Sequence, residues 1–90
     1  MRRARRYRVH GRVQGVGFRF FTRESARREN VNGWVQNLPD GSVEVLAEGE
    51  AASLDRFEQR LREGPRGAHV DHLDRDEELT TGHEAGFEIR

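Results

Sequence analysis

The alternation of hydrophobic and polar positions predicts several strands. In residues 6–12, apolar residues and glycine alternate with Arg8, His10 and Arg12, as expected for a strand with one buried face. The β-rich stretch 31–37 and the alternating stretch 42–48 are predicted to pair as a hairpin. The segment Leu38-Pro39-Asp40-Gly41 between them has the residues of a tight turn. Further strands are predicted over 68–74, around Val70, and over 87–89, with a polar loop over 75–84.

Hydrophobic residues at helical spacing predict two helices. From Phe18 onward the inward positions recur every four residues, and the Asn32-Gly33 pair favours an end to this helix near residue 30. Over residues 51–63 the helical pattern is clearer, because Leu54, Phe57 and Leu61 fall at positions i, i+3 and i+7. The Gly64-Pro65 pair ends this second helix.

The order of these elements predicts an α+β fold of the ferredoxin-like type, β-α-β-β-α-β. Right-handed crossovers would place both helices on one face of a four-stranded antiparallel sheet. Residues 1–90 are expected to form a single domain, with residues 1–4 as a flexible basic tail. The Val, Ile, Leu and Phe residues number 20 of 90, about 22%, which is close to the level of disordered chains and suits only a thin two-layer fold.

The composition excludes several classes of protein. No stretch approaches the roughly 20 apolar residues of a membrane span, and no apolar segment follows the basic start, so we expect no secretory signal. The absence of cysteine excludes disulfides, thiolate zinc sites and cysteine nucleophiles, and it is compatible with a cytoplasmic protein.

The charge is zero overall but unevenly distributed. All 16 basic residues are arginine, and residues 1–28 sum to +9 while residues 29–90 sum to −9. The basic start is compatible with binding an anion, either a nucleic acid or a small phosphate.

One segment has the composition of an anion cradle. Residues 11–19 read Gly-Arg-Val-Gln-Gly-Val-Gly-Phe-Arg and join the first strand to the first helix. The glycines let successive N–H groups converge, the helix start adds its unpaired N–H groups, and Arg19 offers a planar guanidinium fork for phosphate. A purely structural turn with an ordinary surface arginine fits this spacing as well.

Asn37 is a second candidate site residue. It stands at the predicted end of a strand, just before a turn, where asparagine is common for local reasons. A functional role requires that its amide face the cradle.

Two segments resemble the signatures of one family. Gly11–Arg19 followed by Thr22 resembles the first signature of the acylphosphatases, and Gly33–Asn37 followed by Asp40–Glu44 resembles the second. The resemblance extends from about Arg5 to the end of the chain. It implies a ferredoxin-like enzyme that hydrolyses acyl phosphates, the mixed anhydrides of a carboxylic acid and phosphoric acid.

The resemblance also implies roles for individual residues. Arg19 corresponds to the phosphate-binding catalytic arginine, Asn37 to the residue that orients the attacking water, and Thr22 to a supporting position on the helix. The backbone N–H groups of the loop would bind the phosphoryl oxygens, which assigns substrate binding to Gln14, Gly15, Val16, Gly17, Phe18 and Arg19. Because an asparagine amide is a poor base, we hypothesise that the substrate phosphate takes the proton of the water.

No metal or cofactor is expected, because no metal ligand set is visible in the sequence and Arg19 and the backbone amides can bind the charge. The resemblance implies a small acyl phosphate as the partner and a monomer as the oligomeric state, and we expect no nucleic acid or membrane as a partner. Metal ligation by His69, Asp71, His72 and Asp74 is disfavoured, because His69 and His72 would point to opposite faces of a strand. No role is assigned to His83.

An RNA- or anion-binding module without catalysis is the alternative. RNA-recognition domains share the element order, and residues 15–21 resemble their aromatic signature. That signature belongs on the third strand, however, where this chain has no aromatic residue. A regulatory anion-binding module would keep Arg19 but would not need Asn37.

Overall fold

The computed structural model describes residues 1–82 and 86–90, so His83 lies outside the described residues. The elements are β1 (Arg2–Arg12), α1 (Phe18–Arg28), β2 (Asn32–Asn37), β3 (Val43–Glu50), α2 (Ala51–Glu63), β4 (His69–Glu78) and β5 (Phe87–Ile89). The strands form one sheet in the order β4-β1-β3-β2-β5. Both predicted helices and the predicted β2–β3 hairpin are confirmed. No helix within these ranges is long and apolar enough to span a membrane.

The sheet has five strands and is mixed, so the predicted four-stranded antiparallel sheet is wrong in this respect. β5 pairs in parallel with β2, with Gly33 opposite Phe87 and Val35 opposite Ile89. This pairing gives β2 a second partner and leaves Phe87 only 8% exposed. Alternation located β5 in the sequence, but it carries no information about the direction or the neighbour of a strand.

β4 extends to Glu78, so the predicted loop over 75–84 is wrong for residues 75–78. This strand lies at an edge of the sheet and most of its side chains are exposed, so it lacks the apolar alternation by which strands are recognised. Its pairing with β1 instead sets opposite charges across from each other, as in Arg6↔Asp76 and Arg8↔Asp74.

β1 begins at Arg2 and therefore includes residues expected in a flexible basic tail. Ala4 is paired with Glu48 of β3 and with Glu78 of β4, and it is only 2% exposed. Its burial between two neighbouring strands explains why the chain is extended and paired here. The run of arginines around it suggested a solvated tail because charge dominates the local composition.

The hydrophobic core lies between the helices and one face of the sheet. The ring of Phe57 on α2 lies 6.1 Å from that of Tyr7 on β1 and 6.0 Å from that of Phe87 on β5. α1 contributes Phe18 and Ala26 to the same cluster. The other face of the sheet is charged; it carries Glu44 hydrogen-bonded to Arg6. We call this second face the open face.

The topology brings three strand ends together. β1 and β2 both run antiparallel to β3, and β5 runs parallel to β2. β1, β2 and β5 therefore run in one direction, and their C-terminal ends lie at the same edge of the sheet. The loop that follows β1 and the first turn of α1 lie at this edge as well.

Candidate active site

A pocket of about 230 Å³ lies at this shared edge of the sheet. It is lined by the β1–α1 loop, the first turn of α1, and the ends of β2 and β5. The lining residues are Val13, Gly15, Gly17, Phe18, Arg19, Phe20, Asn37 and Ile89. The structure thus brings Arg19 and Asn37, which are 18 positions apart in the sequence, to one cavity.

The loop between β1 and α1 turns through two glycines in the left-handed region. Gly15 has φ 75° and Gly17 has φ 76°, values that favour glycine over any residue with a Cβ. Gly17 is also the N-cap of α1, and its carbonyl oxygen accepts the first helical hydrogen bond, from the N–H of Phe21 at 3.0 Å. The backbone conformation, and not a lack of space, therefore explains both glycines.

This loop leaves several backbone donors unpaired. Within residues 1–82 and 86–90, no hydrogen-bond acceptor faces the N–H groups of Gly15, Val16 and Gly17. The first N–H groups of α1 have no intrahelical partner either, as at any helix start. Unpaired N–H groups at the positive end of a helix dipole are suited to bind an anion.

Gln14 connects the loop to the β2–β3 turn. Its Nε2 donates to the carbonyl oxygens of Leu38 at 2.8 Å and Ser42 at 2.9 Å. The turn is itself stabilised by Asp40, whose carboxylate accepts from the hydroxyl and the N–H of Ser42; these hydrogen bonds lower the pKa of Asp40. The Gln14 side chain thus fixes the loop beside the end of β2. Gln14 and Val16 are not among the pocket-lining residues.

Arg19 presents its guanidinium at the pocket without an acidic side chain as its partner. Its Nη1 donates to the main-chain oxygen of Arg90, the residue after β5, at 2.9 Å. In the described part of the chain, no acidic side chain lies within ion-pair distance of Arg19. Since a guanidinium has five N–H donors, this single bond orients the side chain and leaves donors for a ligand.

Asn37 is the last residue of β2 and contributes a buried acceptor. Its Oδ1 is buried and has no hydrogen-bond partner in residues 1–82 and 86–90. Leaving such an atom unpaired costs about 1–3 kcal/mol, so its position calls for a water or ligand partner. Asn37 lines the same pocket as Gly15, Gly17 and Arg19.

Thr22 lies behind the pocket and does not line it. It is fully buried, and its Oγ1 donates to the carbonyl oxygen of Phe18 at 2.8 Å. Thr22 can therefore influence the site only through the first turn of α1. The supporting role that the resemblance implies stays a prediction.

Sequence reasoning missed the apolar wall and the support of Arg19. Val13, Phe20 and Ile89 line the pocket, and Phe20 is 57% exposed with the guanidinium of Arg23 5.2 Å from its ring centre. The contributions of Ile89 and Arg90 depend on the parallel pairing of β5 with β2. In the sequence, the alternation over residues 87–89 was the only indication that β5 exists.

Comparisons with known proteins agree with this geometry. The sequence model of the acylphosphatase family matches residues 5–89, which include every pocket residue. The acylphosphatase of Rubrobacter xylanophilus is 50% identical over 91 residues, which cover 99% of this chain and 83% of that protein. That of Thermus thermophilus is 46% identical over 79 residues, which cover 88% and 85%. The crystal structure of the acylphosphatase from Bacillus subtilis superposes with a TM-score of 0.94 at 37% identity, covering 100% of this chain and 99% of the other. The chain belongs to the acylphosphatase family.

Proposed function

We propose that this chain hydrolyses the carboxyl–phosphate bond of acyl phosphates, with Arg19 and Asn37 as its catalytic residues. One observation carries the proposal: a single pocket contains a guanidinium that no acidic side chain of the described residues pairs with, unpaired backbone N–H groups and an unpartnered amide oxygen. The first two groups suit a phosphoryl group, and the third suits a water molecule.

The phosphoryl group of the substrate would occupy the cradle. Two of its oxygens accept hydrogen bonds from the guanidinium of Arg19, and the N–H groups of residues 14–18 bind the remaining negative charge. Because charge on these oxygens rearranges in the transition state, preorganised donors lower the barrier without having to reorganise. The bond from Arg19 to the carbonyl of Arg90 provides that preorganisation.

Asn37 would hold the attacking water. Its Oδ1 accepts one O–H of the water, so that a lone pair of the water oxygen is directed at phosphorus. The P–O bond to the acyl group breaks as the new P–O bond forms, and the carboxylate leaves with the electron pair. The water proton passes to a phosphoryl oxygen, which gives inorganic phosphate. A carboxylate is a good leaving group, so neither a strong general acid nor a cofactor is required.

The direct test is hydrolysis of acetyl phosphate by the purified protein. We expect turnover that is unchanged by EDTA and competitively inhibited by inorganic phosphate. Binding of phosphate with no hydrolysis would overturn the proposal in favour of the anion-binding module. Inhibition by EDTA would instead assign the chemistry to a metal ion.

We expect a monomer with a small-molecule substrate and no nucleic-acid partner. The absence of cysteine fits a cytoplasmic enzyme. A specific activity that is independent of protein concentration, together with a monomer mass in sedimentation, checks the oligomeric state.

A further inference from the structure

A cluster of metal-ligating side chains lies on the open face, formed by His10 on β1 and by His72 and Asp74 on β4. His10 and His72 are direct partners across the two strands. The neighbours of these residues along the chain, Val9 and Leu73, belong to the core or pack against it, so alternation directs the cluster to the other face. None of the three residues lines the pocket that contains Arg19.

The donor atoms of the cluster already have nearly the spacing of a metal site. Nε2 of His10 lies 3.0 Å from Oδ2 of Asp74, Nε2 of His72 lies 3.8 Å from the same oxygen, and all three ligand atoms lie within 4.8 Å of one another. Tetrahedral ligands 2.0–2.1 Å from a zinc ion are about 3.4 Å apart. The two distances to Asp74 fall on either side of this value.

The two imidazole rings are held side by side. They are stacked with centres 4.2 Å apart and planes inclined by 11°. A shared ion requires the ring nitrogens to converge, and the His72 side chain has room to rotate because it is 61% exposed. The neighbouring cation on this face, Arg8, is directed to Glu44 at 3.4 Å. The carboxylate of Asp74 is thus available to the cluster.

We propose that His10, His72 and Asp74 bind one Zn²⁺ ion, with water completing the coordination. Two imidazoles and one carboxylate suit zinc, whereas Mg²⁺ and Ca²⁺ prefer sets made of oxygen alone. The ion clamps the edge strand β4 to β1 and stabilises the fold. It takes no part in acyl phosphate hydrolysis. The alternation within one strand separates His69 from His72 and gives no indication of His10, because His10 lies on β1.

The test is calorimetric titration of the full chain, freed of metal by EDTA and dialysis, with ZnCl₂. We expect one Zn²⁺ per chain. At free Zn²⁺ ten times the dissociation constant, the melting temperature should rise by about 6–11 °C. Replacement of Zn²⁺ by Co²⁺ should give the visible absorption bands of a low-coordinate cobalt site. No binding heat, or binding without a rise in melting temperature, would overturn the proposal.

A matched pair of variants locates the ion. His72→Ala should weaken Zn²⁺ binding at least about tenfold, because even indirect partners of metal ligands contribute that much. His69→Ala removes another exposed histidine of β4, which also faces an aspartate, Asp71 at 3.2 Å, and should leave the affinity unchanged. Equal losses in the two variants would refute the site. Acetyl phosphate turnover without zinc should be the same in both variants, which separates this test from that of the proposed function.

Discussion

Gln36 and Asn37, neighbouring residues of β2, each carry a carboxamide group, but the two carboxamides lie in different surroundings. Asn37 faces the pocket with Arg19, and its Oδ1 has no partner in the described residues. Gln36 lies in a cluster on the open face, where its Nε2 donates to Oε1 of Glu44 at 2.8 Å. Arg6 donates to Oε2 of the same carboxylate at 2.9 Å. We call these three residues, Arg6, Gln36 and Glu44, the Glu44 cluster. Each site therefore combines a carboxamide with a guanidinium.

The two sites differ in whether they contain an acidic side chain. The Glu44 cluster contains the carboxylate of Glu44, which accepts hydrogen bonds from both Gln36 and Arg6, and the arrangement contributes to stability. The residues that line the pocket include the guanidinium of Arg19 but no acidic side chain, and the loop adds further unpaired N–H groups. A site with cationic donors and no acidic side chain to pair with them is suited to bind an anion from solution. In the proposed function, the phosphoryl group of the substrate takes the place at Arg19 that the carboxylate of Glu44 takes at Arg6.

The largest expected effect comes from removing the guanidinium of the pocket. Arg19→Ala should lower kcat/KM for acetyl phosphate by about 10²–10³-fold or more, since a preorganised donor to the phosphoryl group is lost. Arg19→Lys should not restore the rate, because an ammonium group lacks the bidentate fork. Steady-state hydrolysis by folded protein, checked by circular dichroism, measures both effects.

Arg6→Ala is the control for this experiment. It removes a guanidinium from the Glu44 cluster, so it should lower the melting temperature while kcat/KM stays within about twofold of wild type. Hydrolysis by Arg19→Ala at the normal rate, or a comparable loss of rate in Arg6→Ala, would contradict the assignment of Arg19 to activity and of Arg6 to stability.

A smaller effect is expected from the carboxamides. Asn37→Ala should lower kcat by about 10²-fold, because the attacking water loses its orientation. The inhibition constant of inorganic phosphate should change little, because the proposed function assigns binding of the phosphoryl group to Arg19 and the loop. Gln36→Ala, one residue away on the opposite face, should affect neither quantity. Equal losses of turnover and of phosphate binding in Asn37→Ala would argue against a role in positioning water.

The sequence predicted the part of the site that depends on local chemistry. The glycines of the loop, the helix start and Arg19 are close together in the chain, so their backbone geometry can be inferred from residue type. Asn37 came from the end of a predicted strand and from the family resemblance. Its meeting with the cradle depends on β1 and β2 running in the same direction, which follows from the pairing of both with β3.

The parts that were missed depend on pairing between distant segments. β5 reaches β2 from far along the chain, and its parallel register brings Ile89 to the pocket and the main-chain oxygen of Arg90 to Arg19. The extended part of β4 forms ion pairs with β1, between Arg5 and Glu77 at 3.7 Å and between Arg6 and Glu78 at 3.5 Å, and such pairs produce no hydrophobic pattern. Periodicity describes how a segment is buried, and it does not identify the segment beside it.

The smallest expected effect is on the free energy of unfolding, and it comes from the carboxylate of Glu44. Burial opposes the ionisation of Glu44, but hydrogen bonds from Gln36 and Arg6 outweigh it and lower its pKa below the ordinary 4.5. A lowered pKa contributes stability above pH 4.5 that is lost as the pH falls through the folded-state value. Glu44→Gln, which keeps the shape, should therefore reduce the free energy of unfolding at pH 7 by about 1–3 kcal/mol.

Urea unfolding of Glu44→Gln and wild type across the acid range measures this contribution. The gap between the two proteins should narrow below pH 4.5 and close once Glu44 is protonated, because the remaining acids titrate alike in both proteins. Turnover of acetyl phosphate at pH 7 should be unchanged, because the open face lies across the sheet from the core and contributes no residue to the pocket. A gap that stayed constant down to acid pH would show that the shape of the residue, and not its charge, stabilises the cluster. The charge of the carboxylate would then not be what distinguishes the Glu44 cluster from the pocket that contains Arg19.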